Sequence, residues 1–241
     1  MKVIAVIPAR LASTRLPRKM LREIGGEPLV ARVYRAVRAC TLLADAMVAT
    51  DSEEIAQYCQ DNEMTARMTS ASHRSGTERV HEISESIAAD VYLNIQGDEP
   101  LTRVGHITAL IGLMKDESIQ VGTLKTQCSP EDVANPNAVK VVTDSQKRAL
   151  YFSRAAIPHD RDATNPTYYK HLGFYAYRKL ALDRFVSLPE SFLERSERLE
   201  QLRFLENGIP IHVAETPFDT VGVDTEDDLR RVEEILRKRS D

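Results

Sequence analysis

The sequence predicts an α/β fold, a mostly parallel central sheet flanked by helices, and three features of its 241 residues carry that reading. Short, largely apolar runs at Val3-Ile4-Ala5-Val6-Ile7, Ala46-Met47-Val48-Ala49-Thr50 and Val91-Tyr92-Leu93-Asn94-Ile95 lack the alternation of a half-exposed strand, as strands buried on both faces do. Segments of helical periodicity separate them, and such alternation puts helices on the faces of a parallel sheet. The first strand also discharges directly into Pro8-Ala9-Arg10-Leu11-Ala12-Ser13-Thr14-Arg15-Leu16-Pro17-Arg18-Lys19, a loop with four cations and two prolines. Ligands of open α/β folds collect outside the carboxyl ends of the strands, so the loop is placed to meet a polyanion.

The elements follow in order. After the loop, Gly25-Gly26 turns the chain into a helix on which Leu29, Val30, Val33, Ala36, Val37 and Cys40 recur at helical spacing. The strand at 46–50 ends at Asp51, a second helix covers 52–61, and a short third strand covers 64–68. Ser75-Gly76-Thr77-Glu78 is a capping-box pattern that opens a helix to about Ala88, before the strand at 91–95. From Ser118 to Phe152 the pattern turns strand-rich, with strands at 121–124, 139–142 and 149–152 and a turn at Asn135-Pro136-Asn137. A polar loop containing Pro158 and Pro166 leads to a strand at 172–177, helices at 180–186 and 197–207, a strand at 211–214 and a last helix after Asp224. There is no internal repeat, low-complexity tract or clean linker. One domain is expected, with residues 1–117 and 208–241 as its core and 118–207 as a smaller strand-rich subdomain.

Composition narrows the function classes. Hydrophobic residues at 42% and charged residues at 28% fit a folded protein, and a formal charge of -4 argues against nucleic acid or an anionic membrane as partner. No apolar run approaches the roughly 20 residues of a membrane span, and with the core strand beginning at Val3 no secretory signal is expected. The three cysteines, Cys40, Cys59 and Cys128, show no C-x-x-C spacing and cannot all pair, so a reducing, cytoplasmic setting is expected. Neither a Walker loop nor a G-x-G-x-x-G turn follows the first strand, which excludes the common NTPase and dinucleotide patterns. Side-chain cations would then hold the anion, Arg10 and Arg15 as forked donors and Lys19 as a point charge, unless they are simply a solvated face.

A second candidate segment is Asn94-Ile95-Gln96-Gly97-Asp98-Glu99-Pro100, at the carboxyl end of a buried strand. Asp98 offers a hard oxygen ligand beside the basic loop, and the pairing suggests a triphosphate with magnesium; an ordinary turn closed by the aspartate is the other reading. Asp224, in Gly222-Val223-Asp224-Thr225, is a second candidate ligand, although it and Thr225 also suit the start of the last helix. The histidines at 73, 81, 106, 159 and 212 form no metal-ligand spacing.

Taken together these segments resemble the 3-deoxy-manno-octulosonate cytidylyltransferases, the CMP-Kdo synthetases, over nearly the whole chain. The matching motifs are Ile7-Pro8-Ala9-Arg10 with Ser13-Thr14-Arg15-Leu16-Pro17 and Lys19, Ala49-Thr50-Asp51, Ser75-Gly76-Thr77-Glu78-Arg79, Asn94 to Pro100, Ala134-Asn135-Pro136-Asn137-Ala138-Val139-Lys140, Leu150-Tyr151-Phe152-Ser153-Arg154, His171-Leu172-Gly173, Leu199-Glu200-Gln201-Leu202-Arg203 and Gly222 to Thr225. The resemblance implies a Rossmann-like nucleotidyltransferase fold whose smaller subdomain binds sugar and forms a homodimer. It implies transfer of CMP from CTP to the anomeric 2-hydroxyl of Kdo, an eight-carbon acidic sugar, with release of diphosphate, for lipopolysaccharide biosynthesis.

On this resemblance Arg10, Arg15 and Lys19 hold the triphosphate, helped by Ala9 and Ser13, and Asp98 and Asp224 bind Mg2+. Arg10, Lys19 and Asp98 are then the catalytic group, because phosphoryl transfer needs positioning and charge neutralisation more than a covalent nucleophile. Arg74, Ser75 and Gly76, with Gln96, are the candidate readers of cytosine. Arg154 is implied for the Kdo carboxylate, and His171, Tyr175, Glu200 and Gln201 for its hydroxyls. The chain departs from the family at Arg18, where glycine is common, and at Met20, where proline is common; the extra cation either adds to the phosphate site or points outward. The alternatives are a cytidylyltransferase for sialic acid or an amino-substituted Kdo, a glycosyltransferase, which normally needs a D-x-D motif that Asp98-Glu99-Pro100 does not supply, and a non-catalytic nucleotide-binding module.

Overall fold

The computed structural model describes residues 1–13 and 15–240; Thr14 of the basic-loop motif lies outside the described residues. β1 (Val3–Ala9) leads through the basic loop to a 3-10 turn at Lys19–Leu21 and a small hairpin, β2 (Glu23–Ile24) and β3 (Glu27–Pro28). Gly25 and Gly26 make that hairpin turn at φ of +58 and +79, conformations that cost glycine least, and only then does α1 (Leu29–Arg38) begin. β4 (Asp45–Thr50), α2 (Glu53–Asp61), β5 (Ala66–Met68), α3 (Gly76–Ser86) and β6 (Val91–Asn94) follow as the apolar pattern predicts.

α4 (Val104–Leu113) has no counterpart in the sequence expectation. Its residues are apolar nearly all round, so no stripe marks it as a helix. Next come β7 (Val121–Gln127), the short α5 (Pro130–Ala134), β8 (Lys140–Thr143), β9 (Ala149–Ser153), β10 (Tyr169–Tyr177) and α6 (Lys179–Ser187). The helix expected at 197–207 is two, α7 (Phe192–Glu197) and α8 (Leu202–Glu206). Arg198 ends α7 in the left-handed region at φ 55, and the chain re-enters helix only after Gln201. β11 (Ile211–Glu215) and α9 (Glu226–Ser240) complete the chain.

Among the described residues the central sheet has nine strands, seven of them in the order β11-β7-β10-β6-β1-β4-β5, with β8 beside β10 and β9 beside β8. β1 pairs parallel with both β4 and β6, and β7 with β11, while β10 runs antiparallel between β6 and β7. β7 and β10, from the segment expected as a smaller subdomain, are thus strands of the central sheet itself.

The strands divide their side chains between two cores, because successive residues point to opposite faces. On β1, Val3, Ala5, Ile7 and Ala9 join α1, α2 and α4 on one side, whereas Ile4 and Val6 join α3, α6 and α8 on the other. A third cluster, Leu16, Ile24, Leu29, Leu101, Val223, Leu229 and Val232, seats α9 under the basic loop. Among the described residues no helix is long and apolar enough to cross a membrane.

Candidate active site

Strand order locates the site. From β1 the chain proceeds outward to β4 and β5, then crosses back so that β6 lies on the other flank of β1. Connections that leave two adjacent parallel strands in opposite directions open a crevice at their carboxyl ends. The basic loop leaves β1 there, and Gln96-Gly97-Asp98 leaves β6 beside it. Gly97 permits the approach: a Cβ at this position would lie 2.9 Å from the Pro8 carbonyl oxygen and 3.0 Å from Met20 Sδ. Met20, one of the two departures from the family pattern, is buried in that contact.

A cleft of about 470 Å³ opens at this crevice. Ala9, Arg10, Ser13, Arg15 and Lys19 line it from the loop, and Gln96, Asp98 and Asp224 face them. Lys19 Nζ donates to Asp98 Oδ2 at 2.6 Å and to Asp224 Oδ1 at 2.9 Å, and Arg15 Nη2 lies 2.9 Å from Asp224 Oδ2. The Asp98 and Asp224 segments are joined through Val223 N, which donates to the Asp98 carbonyl at 2.9 Å. Burial alone would lower the Lys19 pKa, but the two carboxylates outweigh it and the ammonium is held above its ordinary value. Burial pushes Asp224 upward and its cation partners prevail, so this carboxyl titrates below its usual range. Arg10 also lines the cleft, and it has no carboxylate partner among the described residues.

Two hard carboxylates that share one cation suit a magnesium ion, which takes one or two protein carboxylates and fills its octahedron with phosphate oxygens and water. The hard oxygen donors fit such an ion, and both aspartates reach one cation, the Lys19 ammonium. Beside them the Glu99 carboxyl, accepting from Thr220 Oγ1 at 2.6 Å, is pushed up to about 8 by burial and by the charge of Asp98. A second group of donors, His81, Glu85 and Asp183, lies within 4.8 Å of one another on an exposed surface, where Lys179 already bridges the two carboxylates.

Arg74, Ser75 and Gly76 line the cleft at the start of α3. Ser75 caps that helix, accepting from Glu78 N at 3.2 Å, and Gly76 sits against the Pro8 ring. Arg18 occupies the left-handed region at φ 55, where the family's glycine would be unstrained, and its guanidinium turns outward to Glu54.

The sugar candidates divide. Glu200 lines the cleft; burial holds its carboxyl high despite hydrogen bonds with Thr77 and Ser75, and its Oε2 is buried without a partner, as is Gln201 Nε2. Gln201, Arg154, His171 and Tyr175 do not line the cleft wall. Arg154 is held by the carbonyls of Glu197 at 2.8 Å and Pro136 at 3.0 Å, and its guanidinium has no carboxylate partner among the described residues. His171 Nε2 is 3.0 Å from Thr123 Oγ1 with its ring edge-on to Phe152, and burial drives its pKa down to about 3. Tyr175 stacks on Tyr177, and burial first, then the neighbouring Tyr177 and Glu200, raise its phenol well above 10.0.

Two buried arginines that shape the cleft, Arg79 and Arg203, stand within the matching motifs without a role that the resemblance implies. Arg79 reaches Asp51 at 2.6 Å and Thr69 Oγ1 at 2.7 Å, clamping α3 to the ends of β4 and β5. Arg203 grips Glu194 through two nitrogens at 2.8 and 2.6 Å and so binds α8 to α7. An arginine at an otherwise apolar helix position is the signal that marks each of them.

A family model described as cytidylyltransferase matches residues 4–214. The chain is 66% identical over 240 residues to the 3-deoxy-manno-octulosonate cytidylyltransferase of Koribacter versatilis, an alignment covering 99% of this chain and 92% of that protein. It is 57% identical to the protein of the same description from Acidobacterium capsulatum, over 99% of this chain and 98% of that one. Among solved structures, that of CMP:2-keto-3-deoxy-manno-octonic acid synthetase complexed with CTP superposes with a TM-score of 0.94 at 41% identity, covering 99% of this chain and all of the other. A glucose-1-phosphate thymidylyltransferase structure from Bacillus anthracis, at 15% identity and a TM-score of 0.71 over 98% of this chain and 95% of that one, shares the fold.

Proposed function

This chain belongs to the cytidylyltransferases, among those acting on 3-deoxy-manno-octulosonate, and from that premise we infer how its cleft works. It is a nucleotidyltransferase that activates Kdo with CTP, giving CMP-Kdo and diphosphate, the activated sugar of lipopolysaccharide assembly. The observation that carries the reading of the site is the meeting of Arg10, Arg15 and Lys19 with Asp98 and Asp224 at one sheet edge.

Arg10, Arg15 and Lys19 bind the triphosphate, orient its α-phosphorus toward the sugar and offset the charge that gathers on the departing diphosphate. Asp98 and Asp224 would hold Mg2+, which when bound supplies further neutralisation of the phosphate oxygens. Ala9 and Ser13 border the triphosphate, and Arg74, Ser75, Gly76 and Gln96 border the base. The oxygen of the sugar's 2-hydroxyl forms the new bond to the α-phosphorus, its proton passes to solvent, and the bond from that phosphorus to the α–β bridging oxygen breaks, so that the electron pair leaves with diphosphate.

Kdo is placed against the second half of the chain, its hydroxyls on Glu200 and Gln201 with His171 and Tyr175 behind them, and its acid paired with Arg154. The unpartnered polar atoms of Glu200 and Gln201 support this placement. So does an Arg154 guanidinium held by two carbonyls, with no carboxylate partner among the described residues. The 118–207 region serves as the sugar-binding and dimerising part of a cytoplasmic homodimer; exposed Leu150, Leu180 and Phe192 in that region supply apolar surface for it.

Diphosphate release from CTP, followed with and without Kdo, tests the reading. Release that depends on Kdo is expected, and an 8-amino analogue used in preference would keep the site and change the sugar. Equal or better use of N-acetylneuraminate would overturn the sugar assignment.

A further inference from the structure

The carboxylates read above as magnesium ligands are already neutralised from within the chain. Lys19 Nζ stands between Asp98 Oδ2 and Asp224 Oδ1, at 2.6 and 2.9 Å, and the residue is 8% exposed. Its backbone is fixed: Leu21 N bonds the Arg18 carbonyl and Arg22 N bonds the Lys19 carbonyl, closing the 3-10 turn. Only the four-carbon stem is free to carry the ammonium elsewhere. A dication and an ammonium cannot both sit between two carboxylates at such distances, because their mutual repulsion would replace the attraction that each enjoys alone. The same ammonium lines the cleft beside Arg10 and Arg15, within its own reach of an incoming triphosphate.

We propose that Lys19 closes the metal site of the nucleotide-free chain, and that the site opens when a triphosphate draws the ammonium off the two carboxylates, so that dication and nucleotide enter together. This rests on the reading of Asp98 and Asp224 as metal ligands. Free divalent cations are then refused, and the cation that holds the empty site in shape becomes a phosphate ligand in the loaded one. Arg15, exposed and, among the described residues, paired only with Asp224, adds to the closure without bridging.

Mn2+ added to the full chain without nucleotide, with free Mn2+ read by electron paramagnetic resonance, tests the proposal. The wild type is expected to bind weakly, and Lys19→Met to bind about tenfold or more tightly, because the competing ammonium and its two charge-assisted hydrogen bonds are gone. Adding Asp98→Asn to Lys19→Met should abolish the gain, and Lys19→Arg, which keeps a cation, should remain closed. Thermal unfolding followed by circular dichroism confirms that each variant is folded, and the wild-type titration stands whatever the variants do. Tight nucleotide-free binding by the wild type that Asp98→Asn removes would overturn the closure and leave the metal reading intact. Binding of Mn2+ with CTP that is indifferent to Asp98→Asn would overturn the metal reading, and the closure with it.

Discussion

Asp98 shows how little in a sequence separates a turn residue from a candidate metal ligand. In sequence it is equally a turn-closing aspartate; in the structure its carboxylate faces Lys19, not its own backbone. Asp98→Asn keeps the shape and removes the charge, so turnover should fall about a hundred- to a thousandfold, as for other lost electrostatic stabilisers. Unfolding temperature should hold steady, and near-normal turnover at saturating magnesium would contradict the assignment. Arg18 makes the opposite case, a cation in the basic loop that points away to Glu54. Exposed pairs contribute about 0–1 kcal/mol, so Arg18→Gly should leave the KM for CTP within about twofold. His171 supplies a pH prediction. Folded, its ring stays neutral down to about pH 3, whereas unfolded it takes up a proton near 6.5. The unfolded state therefore binds more protons between those values, and the stability this histidine contributes is lost as pH falls below 6.5 and is constant above it. Ring resonances of His171 that do not titrate between pH 8 and 5 are expected in NMR spectra; a midpoint near 6.5 would contradict its burial.

The elements explain which residues meet. Strands buried on both faces were readable as continuous apolar runs, and Ser75 and Thr225 as caps, because these signals are local. Ser75 accepts from Glu78 N, and Thr225 Oγ1 both accepts from Asp228 N and donates to its carboxylate. α4 was not legible, since a helix apolar on every side carries no period, and the break between α7 and α8 turns on one left-handed arginine. The approach of the β1 and β6 loops was visible only as a glycine. Gly97→Ala would press a methyl group against the Pro8 carbonyl and Met20 Sδ, in a contact that must shift. Overpacking of this kind costs about 1–3 kcal/mol, to be read by urea denaturation, and the KM for CTP should rise as the loops part. An unchanged midpoint would mean that the two loops are not held in register by this contact.

For the molecule as a whole, the α/β class and the basic loop at the sheet edge followed from pattern, but the pairing of distant segments did not. Lys19, Asp98 and Asp224 are joined by the crossover from β5 to β6 and by the return of the chain into α9, and neither connection leaves a local mark. Antiparallel β10 between β6 and β7 likewise merges the expected subdomain with the core sheet, which brings Glu200 to the far wall of the same cleft. The central claim is that one edge of this sheet, between β1 and β6, holds triphosphate and metal together. A crystal of the chain with CTP and Mn2+, measured at the manganese absorption edge, tests it most directly. An anomalous peak is expected between the Asp98 and Asp224 carboxylates, with Lys19 moved onto the triphosphate beside Arg10 and Arg15. A peak among His81, Glu85 and Asp183 alone, or a triphosphate bound away from the basic loop, would contradict it.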